Sequence, residues 1–293
     1  MAKKPVLLSF GHGYSAQVLA RRLMAQGWRV IGTTRSAEKA KAIRATGAEA
    51  VIWPPTKSGP LLDLATHVLI SAGPDASGDP VLSRCAGALG ARGDQFDWIG
   101  YLSTTGVYGD RGGDWVDETS PCKPTTERGR WRVAAEHEWL AYWHDIGLPV
   151  HVFRLAGIYG PERGPFAKVR AGTARRIVKA GQLFSRIHVE DIATVLEGSI
   201  ARPHPGAIYN VCDDEAAPPE DVIAHAAQLL GLPVPPAEDF DGAEMTPMAR
   251  SFYAESKRVS NARIKSELRV KLAYPTYREG LAALLAAETT QPS

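Results

Sequence analysis

The chain has 293 residues, 44% hydrophobic and 23% charged, with a formal net charge of +2. Such a chain is typical of a soluble globular protein with one large domain, or one domain plus a subdomain. The near-neutral charge gives no case for nucleic acid or an anionic membrane surface. No apolar run reaches the ~18 residues of a membrane span. The three cysteines, Cys85, Cys122 and Cys212, lack both metal-ligand spacing and a disulfide framework. A cytoplasmic protein without a metal site is the expectation.

In chain order, the first element is the apolar run Val6-Leu7-Leu8-Ser9-Phe10, which stops at Gly11. Gly11, Gly13 and Ala16 then form a G-x-G-x-x-A pattern, the strand–turn–helix of a dinucleotide-binding fold. Gly11 permits a tight turn. Gly13 lets backbone amides approach a diphosphate, and Ala16 lets the helix pack close to the strand. The cofactor-binding set therefore begins with Gly11, His12, Gly13, Tyr14, Ser15 and Ala16, at the positive end of a helix dipole. For His12 the backbone counts, not the ring. Val18, Leu19 and Leu23 share a helical face over residues 17–26, Gly27 ends that helix, and residues 28–35 read as the second strand. Its end carries Thr34, Arg35 and Ser36 and no acid. An acid would grip the ribose 2′-hydroxyl of NAD, whereas arginine suits the 2′-phosphate of NADP. Ser36 can also cap the following helix. NADP is thus the expected cofactor, with NAD as the alternative.

The alternation continues. Helix 36–45 leads to a third strand at 48–53, and a fourth at 67–72 ends in Ser71, Ala72 and Gly73. These three join the cofactor-binding set because ligands sit at the carboxyl ends of parallel strands. Helix 80–89, strand 98–103, a Gly-rich loop at 110–123, a long helix at 127–146 and strand 150–154 follow. The order implies an α/β fold: a Rossmann-type, doubly wound parallel sheet with helices on both faces. Beyond residue 160 the rhythm loosens. Residues 166–180 read as a basic helix, 187–200 as a strand end and helix, 208–211 as a strand and 219–230 as a helix. A Pro-rich linker at 233–236 and a mostly helical tail at 261–287 complete the chain. The predicted division is a dinucleotide-binding domain at 1–160, with elements of 187–212 returning to it, and a smaller, mostly helical substrate lobe at 161–293.

Several motifs carry a family resemblance. They are Gly11-His12-Gly13-Tyr14-Ser15-Ala16, Leu102-Ser103-Thr104-Thr105-Gly106-Val107-Tyr108-Gly109, Phe153-Arg154-Leu155-Ala156-Gly157-Ile158-Tyr159-Gly160-Pro161, and Arg186-Ile187-His188-Val189-Glu190-Asp191-Ile192, with further matches at 260–263 and 274–280. In this order they resemble the extended short-chain dehydrogenase/reductases, the group containing sugar-nucleotide epimerases and dehydratases. The resemblance implies that Thr104, three residues before Val-Tyr-Gly, hydrogen-bonds the reacting group. It also implies that Asp191 braces a strand–helix corner, and that the helix bearing Trp139 and Trp143 can form a homodimer interface.

The chain departs from this family at the catalytic helix. The positions of the usual Tyr-x-x-x-Lys pair hold Arg128 and Arg132. A guanidinium, with a pKa above ~12, does not serve as a general acid at neutral pH. Arg132 can still donate to the nicotinamide ribose, and Arg128 can bind a substrate carboxylate or phosphate. Equally, Arg132 and Glu136 at i, i+4 can form a surface ion pair. Proton transfer then falls to Tyr108 or Tyr159, with adjacent arginines lowering the phenol pKa; either can instead be a packing residue. Arg163, Lys168, Arg170, Arg175 and Arg176 form a basic cluster, and Asp213, Asp214 and Glu215 a solvated acidic run. Two functions fit: an NADP(H)-dependent oxidoreductase or epimerase-like enzyme acting on a small polar substrate, or a non-catalytic NADP(H)-binding redox sensor or regulatory partner.

Overall fold

A computed structural model describes residues 4–54, 56–246, 249, 250 and 252–290. The first half alternates strand and helix: β1 (Val6–Phe10), α1 (Tyr14–Ala25), β2 (Arg29–Thr34), α2 (Ala37–Ala45), β3 (Glu49–Ile52), α3 (Gly59–Leu62), β4 (His67–Ile70), α4 (Leu82–Gly90) and β5 (Trp98–Thr104). A short β6 (Trp115–Val116), α5 (Glu127–Ile146), β7 (Val150–Leu155), β8 (Gly157–Tyr159), α6 (Phe166–Arg170), β9 (Arg176–Val178) and β10 (Arg186–His188) come next. Then come α7 (Val189–Ala201), β11 (Ile208–Val211), α8 (Pro219–Leu229), β12 (Ala237–Asp239) and β13 (Arg258–Val259), with helices Ala262–Ser266 and Tyr277–Thr290 closing the chain.

Seven strands form one parallel sheet in the order β11-β7-β5-β4-β1-β2-β3. From β1 the chain moves outward to β2 and β3, then crosses to β4 and builds the other half. The carboxyl ends of β1 and β4 are therefore the switch point, where such sheets open a crevice for ligands. Both faces are covered, so β1 and β4 are buried throughout and read as continuous apolar runs. Strand alternation divides them between two cores: Leu7 packs with Leu19 and Leu23 of α1 and Val195 of α7, while Leu8 and Phe10 pack with Leu89 of α4 and Trp139 of α5.

Two segments differ from the sequence expectation. Residues 166–180 hold only a five-residue helix, because Gly172 turns the chain at φ +66° and β9 pairs with β12. The tail is not continuously helical: residues 267–276 run as a loop between its two helices, tied down where Asp191 accepts from the Ala273 and Tyr274 amides at 2.7 and 3.0 Å. Asp191 is thus a corner brace. Within α5, Trp139 is fully buried and Trp143 is 39% exposed. Among the described residues no helix is long and apolar enough to cross a membrane.

Candidate active site

The turn after β1 is built by Gly11 at φ +76°, where an added Cβ would lie 2.7 Å from the Ala72 nitrogen. Its amide donates to Thr33 Oγ1 at 3.0 Å, a support the sequence reading missed. Gly13 is different. It starts α1 without a capping side chain, and a Cβ there would meet nothing nearer than the Gly11 carbonyl at 3.7 Å. No protein contact requires glycine at 13, whereas a ligand lying against the backbone would. The first turn of α1 carries no acid, so its free amides and dipole suit a diphosphate. The His12 ring points inward over Gly32, whose added Cβ would meet it at 2.5 Å. Burial lowers its pKa to about 4. Tyr14 donates its hydroxyl to the Pro161 carbonyl at 2.8 Å, and burial raises its phenol to about 12.

At the end of β2, Ser36 Oγ caps α2 by accepting from the Lys39 amide, and Thr34 Oγ1 accepts from the Ser36 amide, both at 3.3 Å. Their hydroxyl hydrogens stay available, and Arg35 is exposed. Across from it stands Asp75, whose carboxyl is held below its usual range by Ser77 first and more weakly by Arg84 and Arg35. Ser71 and Ala72 turn beneath β1 through amides donated to the Phe10 carbonyl at 2.8 and 3.0 Å. This donor set fits an adenine dinucleotide with a 2′-phosphate.

A cleft of about 700 Å³ opens beyond β5 and β7, lined among others by Thr104, Arg128, Arg132, Phe252, Glu255 and Lys257. Thr104 Oγ1 accepts from the Gly106 amide at 3.1 Å, leaving its proton free to donate. Arg132 is fixed by the Leu102 carbonyl and by Tyr101, whose hydroxyl accepts at 3.3 Å. A Cβ on Gly73 would lie 3.0 Å from its guanidinium. Arg132 therefore joins the ends of β4 and β5, with Thr104 in the same cleft. Arg128 is exposed at the mouth and has no acidic partner among the described residues.

Several expectations are corrected. Tyr108 does not line the cleft. It is fully buried, donates to Asn210 Oδ1 at 2.7 Å and accepts from Arg154 Nη1 at 2.9 Å. Burial pushes the phenol up to about 12 against the pull of Arg154, so the expected lowering is reversed. Tyr159 sits in the core of the C-terminal lobe with Phe166, Tyr277 and Leu281. Burial first, then Asp213 and Asp191, push its phenol above the ordinary value. Glu136 is not a surface partner of Arg132: it is 1% exposed and forms a buried ion pair with Arg154 at 2.8 Å, while accepting from Ser103. The basic cluster is largely spent, since Arg170 pairs with Glu288, Arg175 pairs with Glu238, and Arg163 lies over the Tyr14 ring at 4.8 Å. In the acidic run, Asp213 is buried rather than solvated, and burial raises its pKa to about 8.

Sequence reasoning also missed Glu255 and Lys257, because the stretch before β13 reads as a polar linker. The signal was a charged pair running into the short strand Arg258–Val259. That strand pairs in parallel with β6 and so carries the pair to the cleft wall.

Fold and site together define a Rossmann-type protein of the short-chain dehydrogenase/reductase class. A profile of the NAD dependent epimerase/dehydratase family matches residues 91–212, and the protein YeeZ of Escherichia coli K12 is 30% identical over 238 residues, 77% of this chain and 84% of that one. The chain belongs to the NAD-dependent epimerase/dehydratase family. A solved structure of a conserved protein of unknown function from Silicibacter pomeroyi is 62% identical, with a TM-score of 0.92 over 98% of this chain and 100% of that one. UDP-glucuronic acid 4-epimerase from Bacillus cereus, solved with UDP-glucuronic acid and NAD, shares the fold at a TM-score of 0.76 and 17% identity, over 96% of this chain and 98% of that one.

Proposed function

We propose that this protein is an NADP(H)-dependent oxidoreductase acting on a carbonyl or alcohol carbon of a small anionic substrate. The observation that carries this reading is the meeting of Thr104, Arg128 and Arg132 in one cleft at the end of a sheet whose first turn is built to receive a diphosphate. The α1 amides hold the diphosphate, and Arg35 with the Thr34 and Ser36 hydroxyls holds the 2′-phosphate. When bound, the nicotinamide supplies or takes up hydride. Arg132 offers its remaining donors to the ribose, and Thr104 donates to the reacting oxygen, steadying the charge that develops there. Arg128, unpaired at the mouth, holds a carboxylate or phosphate.

Structural neighbours solved with UDP-glucuronic acid or UDP-glucose and NAD make nucleotide-linked sugars one class to test. The wall formed by Leu155, Ala156, Leu183, Phe184, Phe252 and Val259 favours a substrate with an apolar or flat portion. A sensor without turnover would suit an occluded cleft, and this cleft is open.

The test is a screen in which ligand-free protein and NADPH are mixed with keto acids, phosphorylated carbonyls, aromatic aldehydes and oxidised nucleotide sugars, following absorbance of the reduced cofactor. Turnover of an anionic carbonyl is expected, falling roughly 100-fold in Thr104→Ala. Tight NADPH binding with no turnover across all four classes would reject the enzyme reading.

A further inference from the structure

The family's usual proton donor is absent from position 128, and neither tyrosine that stood in for it reaches the cleft. The titratable groups that do line it are Glu127, Glu255 and Lys257, together with three arginine-free hydroxyl positions, Thr104, Thr105 and Thr126, whose protons are far too weakly acidic to replace a phenol unaided. Glu127 lies exposed in the first turn of α5. Lys257 is only 8% exposed. Its ammonium donates to the Gly109 carbonyl at 2.8 Å and to Glu255 Oε2 at 2.7 Å, and its third proton has no acceptor among the described residues. Glu255 Oε1 in turn accepts from the exposed hydroxyl of Thr125.

The segment bearing this pair is pinned in place. The Ser256 amide donates to Asp110 Oδ1 at 2.8 Å, its hydroxyl donates to the Gly181 carbonyl at 2.8 Å, and its carbonyl accepts from the Arg111 and Gly113 amides. Gln182 Nε2 donates to the Glu255 carbonyl at 2.7 Å. A lysine whose charge is already matched by a carboxylate is a poor anchor for a second anion. It is well arranged to hold one proton toward the cleft and to recover it from outside.

We infer that Lys257 is the proton donor of the cleft and that Glu255 is its positioning residue, an inference that rests on the oxidoreductase reading above. In the reducing direction, one N–H bond of the Lys257 ammonium breaks and its proton passes to the substrate oxygen as that oxygen becomes a hydroxyl. The neutral amine that remains takes a proton from water by way of Glu255 and Thr125. In the oxidising direction each transfer runs backward. The charged groups that face the pair are Glu127, Arg128 and Arg132 from α5, Asp110 from the loop after β5, and Lys179, which donates to the Tyr253 carbonyl.

The test follows the side-chain carbon resonances of lysine in the labelled full-length protein, with Lys257 assigned by its loss in Lys257→Arg. Calorimetry with NADP⁺ runs in parallel. The inference predicts that NADP⁺ shifts the Lys257 resonance and lowers its titration midpoint by on the order of one pH unit, because a cationic ring enters the same compartment; Glu255→Gln lowers the midpoint in the free protein for want of its counter-charge. With any carbonyl substrate from the screen, Lys257→Arg should keep NADPH affinity within about twofold yet lose at least roughly 100-fold in kcat. NADP⁺ heat with an unmoved Lys257 resonance, or a fully active Lys257→Arg, overturns this inference alone. No NADP⁺ heat at all overturns it together with the cofactor reading.

Discussion

At the scale of single residues, two glycines in one motif answer to different demands. Gly11 is required by the protein: its φ of +76° and the 2.7 Å approach to Ala72 leave no room for a side chain. Gly13 is required by nothing in the fold. We expect Gly11→Ala to cost at least about 2 kcal/mol of stability, read by urea denaturation, and Gly13→Ala to stay within about 0.5 kcal/mol of the parent. Equal losses would contradict the assignment of Gly13 to a ligand. The motif itself was legible because the spacing of small residues is a local signal. The direction of Tyr108 was not. It depends on Asn210 and Arg154, which come from β11 and β7 and are distant in sequence. The register of those strands turns the phenol into the core, a fact that residues 102–109 do not carry.

Among elements, the joint of β5, α5 and β7 sets the cleft floor. Ser103, Glu136 and Arg154 come from the three in turn and meet out of water. Burial works against the Arg154 charge, and the hydrogen bonds and field of Glu136 more than offset it, so its pKa ends above the ordinary value. Removing one partner of such a pair strands the other charge, so Glu136→Gln should lose about 3–5 kcal/mol by chemical denaturation. A loss below 1 kcal/mol, flagged as roughly the worth of a surface pair, would contradict the buried arrangement. From sequence alone the same glutamate reads as an i, i+4 partner of Arg132, because helical spacing shows which residues are neighbours on α5 and not which face meets the sheet. Glu255 and Lys257 stayed hidden for a related reason: their place depends on β13 pairing with β6 across more than half the chain, and neither two-residue strand has a periodicity to read.

For the whole molecule, the seven-stranded order follows from alternating apolar runs and helices closed by glycine, and that much was plain in the sequence. The lobe beyond residue 160 was harder, since its short strands pair across long gaps. The buried histidines give the folded state a dependence on pH. Burial lowers His12 and His151 from 6.5 to about 4, so between those values the unfolded chain binds more protons. Their contribution is complete above 6.5 and is lost as pH falls toward 4, at about 2 kcal/mol each by about pH 5. Asp213, raised from 3.8 to about 8 by burial, acts oppositely, and its contribution fades as pH rises through that window. Urea midpoints should therefore drop on acidification below the histidine range, with a shallower slope in His12→Phe. An unchanged slope in that variant would contradict the inward position of the ring, and with it the conformation of the glycine turn.

That turn is where the account is most directly tested. Calorimetry on ligand-free protein should register NADPH binding that weakens at least about tenfold in Gly13→Ala and in Arg35→Ala, with NADH bound more weakly than NADPH by the parent protein. No heat from either nucleotide would contradict the claim that an adenine dinucleotide lies across this sheet.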